Sequence, residues 1–206
     1  MPSPHHKPDG HYSFRVSGPE TPLLTTAEAK SHLRVDYSDD DTLIDAYISA
    51  ATEMVDAQFG ELGLALITQR WQLTMESFPA SGTFYLTVPP VQQITSITYF
   101  DSSNVQQTLA SNTYRLTVNG DHATVTLVDG QSWPATYARE DAVAVQYDAG
   151  FGDDASDVPE GIRVAVRLMV AHWYEHREAV SEVSMEQVPV GVPHLLAKYR
   201  IARGHI

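Results

Sequence analysis

Apolar positions along this chain recur every three to four residues near both ends and every second residue in between, so two kinds of element are expected in a helix, strand, helix order. Thr25-Thr-Ala-Glu28 has the form of a capping box, in which the Thr hydroxyl takes a free backbone N–H and the Glu reaches back to the cap. A short helix should therefore run on through AEAKSHLRV. Ser38-Asp-Asp-Asp41 predicts a second helix start by the same logic, its acids also favoured by the positive end of the helix dipole. In that helix Leu43, Ile44, Tyr47, Ala50, Ala51, Met54 and Val55 share one wide arc, which predicts packing on more than one neighbour, and Gly60 is the expected cap. A third helix should start at Pro159 and Glu160, carry Ile162, Ala165, Val166, Met169 and Trp173 as one stripe, and end near Glu178. Residues 179–193 read as a linker. Pro193 then opens a final short helix, HLLAKYRIA, with Leu195, Leu196 and Tyr199 on one side.

Between these segments, ITQRWQLTM sets Trp71, Leu73 and Met75 against Arg70, Gln72 and Thr74, as a half-buried strand does. TFYLTV, ITSITYF, TYRLTV, ATVTLV and AVAVQYD follow, separated by turn residues that include Pro89-Pro90, Asn119-Gly120 and Asp129-Gly130. A hairpin is expected around Asn119-Gly120. Six strands without intervening helices predict an antiparallel sheet or small sandwich. The expected fold class is therefore α+β: a discontinuous helical bundle (22–63 and 150–206) with an inserted β module (64–149), preceded by a flexible arm over residues 1–21 that is rich in Pro, Gly and His.

The chain has 206 residues, 43% of them hydrophobic, enough for one large or two small domains. No cysteine is present, so there is neither a disulfide framework nor a thiolate site. No stretch reads as a membrane span, and the polar start MPSPHHKPDGHYSF does not read as a leader. A formal charge of −13 argues against a nucleic-acid clamp, which needs a surplus of Lys and Arg. The imbalance is uneven: residues 160–206 sum to +1 and the first 159 to −14.

The most pointed chemistry is His172-Trp-Tyr-Glu-His176, which fits the H-x-x-E-H pattern of zinc hydrolases. On a helical wheel both imidazoles fall on the apolar arc that holds Ala165 and Met169, while Glu175 points to the opposite flank. A catalytic zinc also needs a third protein ligand, and Glu182 and Glu186 lie in the linker. The pair therefore reads as helix packing, with no metal and no cofactor expected; a zinc hydrolase is the alternative. Asp39-Asp40-Asp41 reads as capping acids, and Asp153, Asp154 and Asp157 as a solvated loop that lacks the Gly and terminal Glu of a calcium site. No nucleophile elbow and no Gly-rich phosphate loop occur. A ligand-binding β module, for instance for carbohydrate through Trp71, Tyr85 and Tyr99, is a further alternative; core packing is the plainer reading of those aromatics.

The order of the segments LTTAEAKSHLRVDYSDDDTLIDAYISAATEMVD, WQLTMESFP, LTVPPVQQITSITYFD, WP, VAVQYDAGFG, VPEGIRVAVRLMVAHWYEHRE and PVGVPHLLAKYR resembles the head-tail connector (adaptor) family of tailed phages and gene transfer agents, over about residues 22 to 201. The resemblance implies a structural virion protein at the neck, assembled in the host cytoplasm, and not an enzyme. It would form a dodecameric ring below the portal protein and offer a platform to the stopper or next tail-side component, while DNA passes through unbound. An acidic channel wall would repel the duplex, which fits the net charge. Under that resemblance Leu43, Tyr47, Met54, Ile162 and Met169 are the expected ring contacts. Trp173, Tyr174, Arg177, Leu195, Leu196, Tyr199 and Arg200 are the expected portal-docking residues, Trp, Tyr and Arg being common interface anchors.

Overall fold

The computed structural model describes residues 11–56, 60–176, 189 and 191–201. They form an α+β structure of two compact units, one drawn from residues 20–67 and 151–201 and the other from residues 11–19 and 68–150.

The first unit is helical. Helix α1 (Thr26–Leu33) starts on the expected capping box: the Glu28 N–H donates to Thr25 Oγ1 at 3.2 Å and the Thr25 N–H donates to Glu28 Oε2 at 2.9 Å. The backbone and hydroxyl of Thr25 hold the Glu28 carboxyl below its ordinary range. Helix α2 (Asp41–Val55) departs from expectation at both ends. Its N-cap is Asp40, which makes no side-chain cap bond, and its C-cap is Asp56 in extended conformation. Gly60 lies further on, against the Asp56 carbonyl, where a Cβ would sit 2.4 Å from that oxygen. Helix α3 (Glu160–Glu175) follows a 3-10 turn at Ala155–Asp157, and the short α4 (Gly191–Ala197) starts two residues before the expected Pro193. Ile44, Ile48, Ala51 and Val55 of α2 form one core with Ile162, Ala165, Val166, Met169 and Val170 of α3 and with Val192 and Leu196 of α4. At about 1.5–3 kcal/mol per fully buried large aliphatic side chain, this core is the main source of the unit's stability.

The second unit is an all-antiparallel β structure. Strands β1 (Tyr12–Ser17), β2 (Gln69–Met75), β8 (Val143–Ala149), β4 (Val91–Phe100) and β5 (Gln106–Thr108) lie side by side in that order; β3 (Thr83–Leu86), β7 (His122–Leu127) and β6 (Tyr114–Asn119) form a second sheet. Antiparallel registers Trp71↔Tyr147, Leu73↔Val145 and Met75↔Val143 put the apolar residues of β2 and β8 on one face. The other face carries Arg70, Gln72, Gln146 and Asp148. There Arg70 donates twice to Asp148, at 2.8 and 3.2 Å, and Gln93 Nε2 donates to it at 3.0 Å. Burial pushes the Asp148 carboxyl up, but the bonds from Arg70 and Gln93 outweigh it and leave the group below its usual range. Burial also raises the Tyr147 phenol to about 12.

Two strands were not expected. Residues 12–17 fall in the segment read as a flexible arm, yet they pair with β2 from Tyr12↔Thr74 onward. Tyr12, Phe14 and Val16 alternate with Ser13, Arg15 and Ser17, and Ser13 is buried, sharing a 2.7 Å hydrogen bond with Thr87. The short β5, Gln-Gln-Thr, has no apolar residue to signal it. The hairpin between β6 and β7 forms at the expected place: Asn119 pairs with His122, so Gly120 and Asp121 form the turn. Gly120 supplies φ +60° at its first position, as a type II′ turn requires.

Candidate functional site

The wide arc of α2 divides into two lines. Ile44, Ile48, Ala51 and Val55 are buried, whereas Leu43 and Tyr47 are half-buried, and Ala50 and Met54 are exposed, Met54 at 41%. Leu43, Tyr47, Ala50 and Met54 follow the spacing i, i+4, i+7, i+11, which is a single stripe along the helix. Trp173 of α3 extends it, its ring centroid 6.1 Å from that of Tyr47. The result is an apolar strip with the exposed carboxylate of Glu53 along one side.

Ile162 and Met169, two of the expected ring contacts, belong elsewhere. They are 0% and 1% exposed in the chain's own core, where no neighbour can touch them. The same correction applies to Leu196, at 0%. Of the other expected docking residues, Leu195 and Tyr199 are half-buried against the core. Tyr199 lies along Gly161, where an added Cβ would meet its hydroxyl at 3.0 Å. Arg200 pairs with Glu61, and the Ile201 N–H donates to the Leu62 carbonyl, which anchors the end of this segment. Arg177 lies outside the described residues. Tyr174 is committed within the chain: its hydroxyl donates to Asp40 Oδ2 at 2.6 Å, and the Tyr37 hydroxyl reaches the same oxygen at 3.1 Å. This network, with Lys30 Nζ 2.6 Å from Asp41, explains the missing cap on α2, because tertiary donors have taken the acids. Local sequence offered no sign that Tyr174 and Asp40 would meet.

The histidine pair also departs from the wheel. Helix α3 stops at Glu175, so His176 is its exposed C-cap, and its Nδ1–H donates to the His172 carbonyl at 2.8 Å. The rings lie 4.5 Å apart. Among the described residues, no three His, Asp or Glu side chains gather in a metal-holding arrangement. In the Asp153–Asp157 loop, the Asp157 carboxylate accepts from the Asp154 N–H at 3.1 Å and so serves the loop's own backbone. Trp71 is core, Tyr85 stands exposed on β3, and Tyr99 packs edge-on against Phe78. Among the described residues no helix is long and apolar enough to cross a membrane.

Charge separates the two units. The helical unit holds 18 Asp and Glu against eight Lys and Arg, a formal −10; the β unit holds eight against five, a formal −3.

Residues 22–188 match the family model described as head completion protein. The chain belongs to the head completion protein family. No curated protein matches its sequence. Among solved structures, this family member is similar to a chain in the neck of an empty gene transfer agent (GTA) particle computed with C6 symmetry. The identity is 22% over 93% of this chain and 96% of that one, with a TM-score of 0.74. A chain in the virion of a native GTA particle matches at 24% identity with the same coverage and a TM-score of 0.74. One in the neck of a native GTA particle computed with C12 symmetry matches at 23% identity, again over 93% and 96%, with a TM-score of 0.68. These likenesses establish the fold, the β module included, as that of the head completion protein in hand.

Proposed function

We propose that this head completion protein is a head-tail connector: a structural subunit that forms a ring in the neck of a tailed phage or gene-transfer-agent particle. The observation that carries the reading is the agreement of fold over 93% of the chain with neck chains of GTA particles, joined to family membership. A ring with C12 symmetry, as in one of those necks, needs head-to-tail contacts between two different surfaces of each copy. The Leu43–Tyr47–Ala50–Met54 stripe supplies one such surface, because a neighbour that covers it removes apolar area from water without disturbing the core. The formal −10 of the helical unit suits a channel through which DNA slides without being held.

In this role the chain performs no reaction. It docks on the portal protein through the half-buried Trp173, Leu195 and Tyr199 and receives a tail-side component on its other face. Particles assembled without the chain are expected to fill with DNA but to leak it and to lack tails. Intact, tailed, infectious particles lacking the chain would overturn the reading.

A further inference from the structure

Helix α3 is apolar on its outer face as well as on its inner one. A helix at the surface of a single chain carries polar side chains opposite its core stripe. In α3 that place is taken by Val164, Leu168 and Ala171, spaced i, i+4, i+7 and half-buried, so that part of each stays in water. At about 100° per residue these three lie about 140–180° round the helix from Trp173. Trp173 touches Tyr47, so the α3 line faces away from the stripe that Leu43, Tyr47, Ala50 and Met54 form on α2. The charges beside the two lines are opposite. Glu53 is exposed along the α2 stripe, and α2 holds no Lys or Arg. Beside the α3 line stand Arg163 and Arg167, which share one carboxylate: both donate to Glu160, Arg167 at 2.9 Å. Glu28, the other acid that feels their charge, is already engaged by the Thr25 cap.

We propose that a second copy of this chain covers the α3 line with its α2 stripe. The inference rests on the neck-ring reading and names the second surface that such a ring requires. Three features select this occupant. Both lines are rows of apolar side chains three and four residues apart, the kind of ridge that packs into the groove of another helix. They face different ways on one helical unit, so each copy can hold one neighbour on each side and the same contact repeats head to tail until the ring closes. Glu53 beside one line and Arg163 and Arg167 beside the other favour α2 on α3 over either line meeting its own kind.

The chain has no cysteine, so thiols can be placed at will. Ala50→Cys and Ala171→Cys mark the two lines at positions outside the fully buried core. Particles are assembled with the full chain carrying both changes and treated with a bifunctional thiol reagent that spans two helical turns, about 11 Å, which tolerates any register of one line on the other. The expected product under denaturing conditions is a ladder of covalent oligomers of this chain, because each copy is joined to one neighbour through residue 50 and to the other through residue 171. Either single-cysteine chain has one attachment point and should stay monomeric. Particles that contain the double-cysteine chain but yield no product beyond a dimer would overturn the proposal and leave the neck reading standing. A ladder accompanied by dimers from both single-cysteine chains would mean that like meets like, which overturns it as well. Absence of the unaltered chain from particles would overturn the neck reading and this proposal with it.

Discussion

Replacing Met54 by Glu separates a ring contact from a core contact. Met54 is 41% exposed in the single chain, which leaves about 80 Å² of largely apolar surface for a neighbour to cover, or roughly 2 kcal/mol at 25 cal/mol per Å². Losing that contribution weakens each contact about 30-fold, and every interface in the ring contains the same change. Glu is as good a helix former as Met, and an exposed substitution shifts the stability of the single chain by no more than about 0.5 kcal/mol. The expected outcome is an unchanged urea midpoint together with failure to form rings, read by native mass measurement and by incorporation into particles. Met169→Ala is the counterpart. It should destabilise the single chain by about 2–5 kcal/mol, because a buried cavity opens in the core. Rings of Met54→Glu that assemble at the wild-type concentration would refute the assignment of the α2 stripe to a neighbour.

Asp148→Asn is expected to cost about 1–2 kcal/mol in urea unfolding, less than a fully buried pair, since the Arg70 side chain is 40% exposed. The Asp148 carboxyl is held below its ordinary range in the folded chain, so its stabilisation is present above the unfolded value near pH 4 and is lost as pH falls through the folded one. The Asn variant should show a correspondingly shallower acid limb in a stability-versus-pH series. Tyr174→Phe removes the 2.6 Å bond to Asp40 and should cost about 1 kcal/mol by thermal or urea unfolding. Gly161→Val drives a side chain into Tyr199 and should speed tryptic cleavage after Lys198, as the C-terminal segment lifts away. Untagged protein should carry zinc well below one ion per chain; stoichiometric zinc lost in His172→Ala would restore the metal reading.

Periodicity was the most informative feature of the sequence. The change from a period of about 3.6 to a period of 2 near residue 67 marks where helices give way to sheet, since each period reports which side chains share a face. The cap at Thr25 was legible because all its bonds are made within four residues. The cap at Ser38–Asp41 was misread because its acids are bound by Tyr174, 134 residues from Asp40 along the chain, and by Lys30. Periodicity also cannot say who covers an apolar face. It grouped Leu43 and Met54 with Ile44 and Val55, and only the packing of α3 and α4 separates the outward line from the core. For the same reason Ile162, Met169 and Leu196 read as contact residues when they are the chain's own interior. Strand β1 was hidden by the prolines and histidines before it, which set the character of the whole segment although they end at residue 11.

Three-dimensional density for the assembled particle, with this chain located in it, tests the central claim most directly. A closed ring of copies between portal and tail, with Met54 of each copy covered by its neighbour, is the predicted result. Particles whose neck is complete without this chain would contradict it.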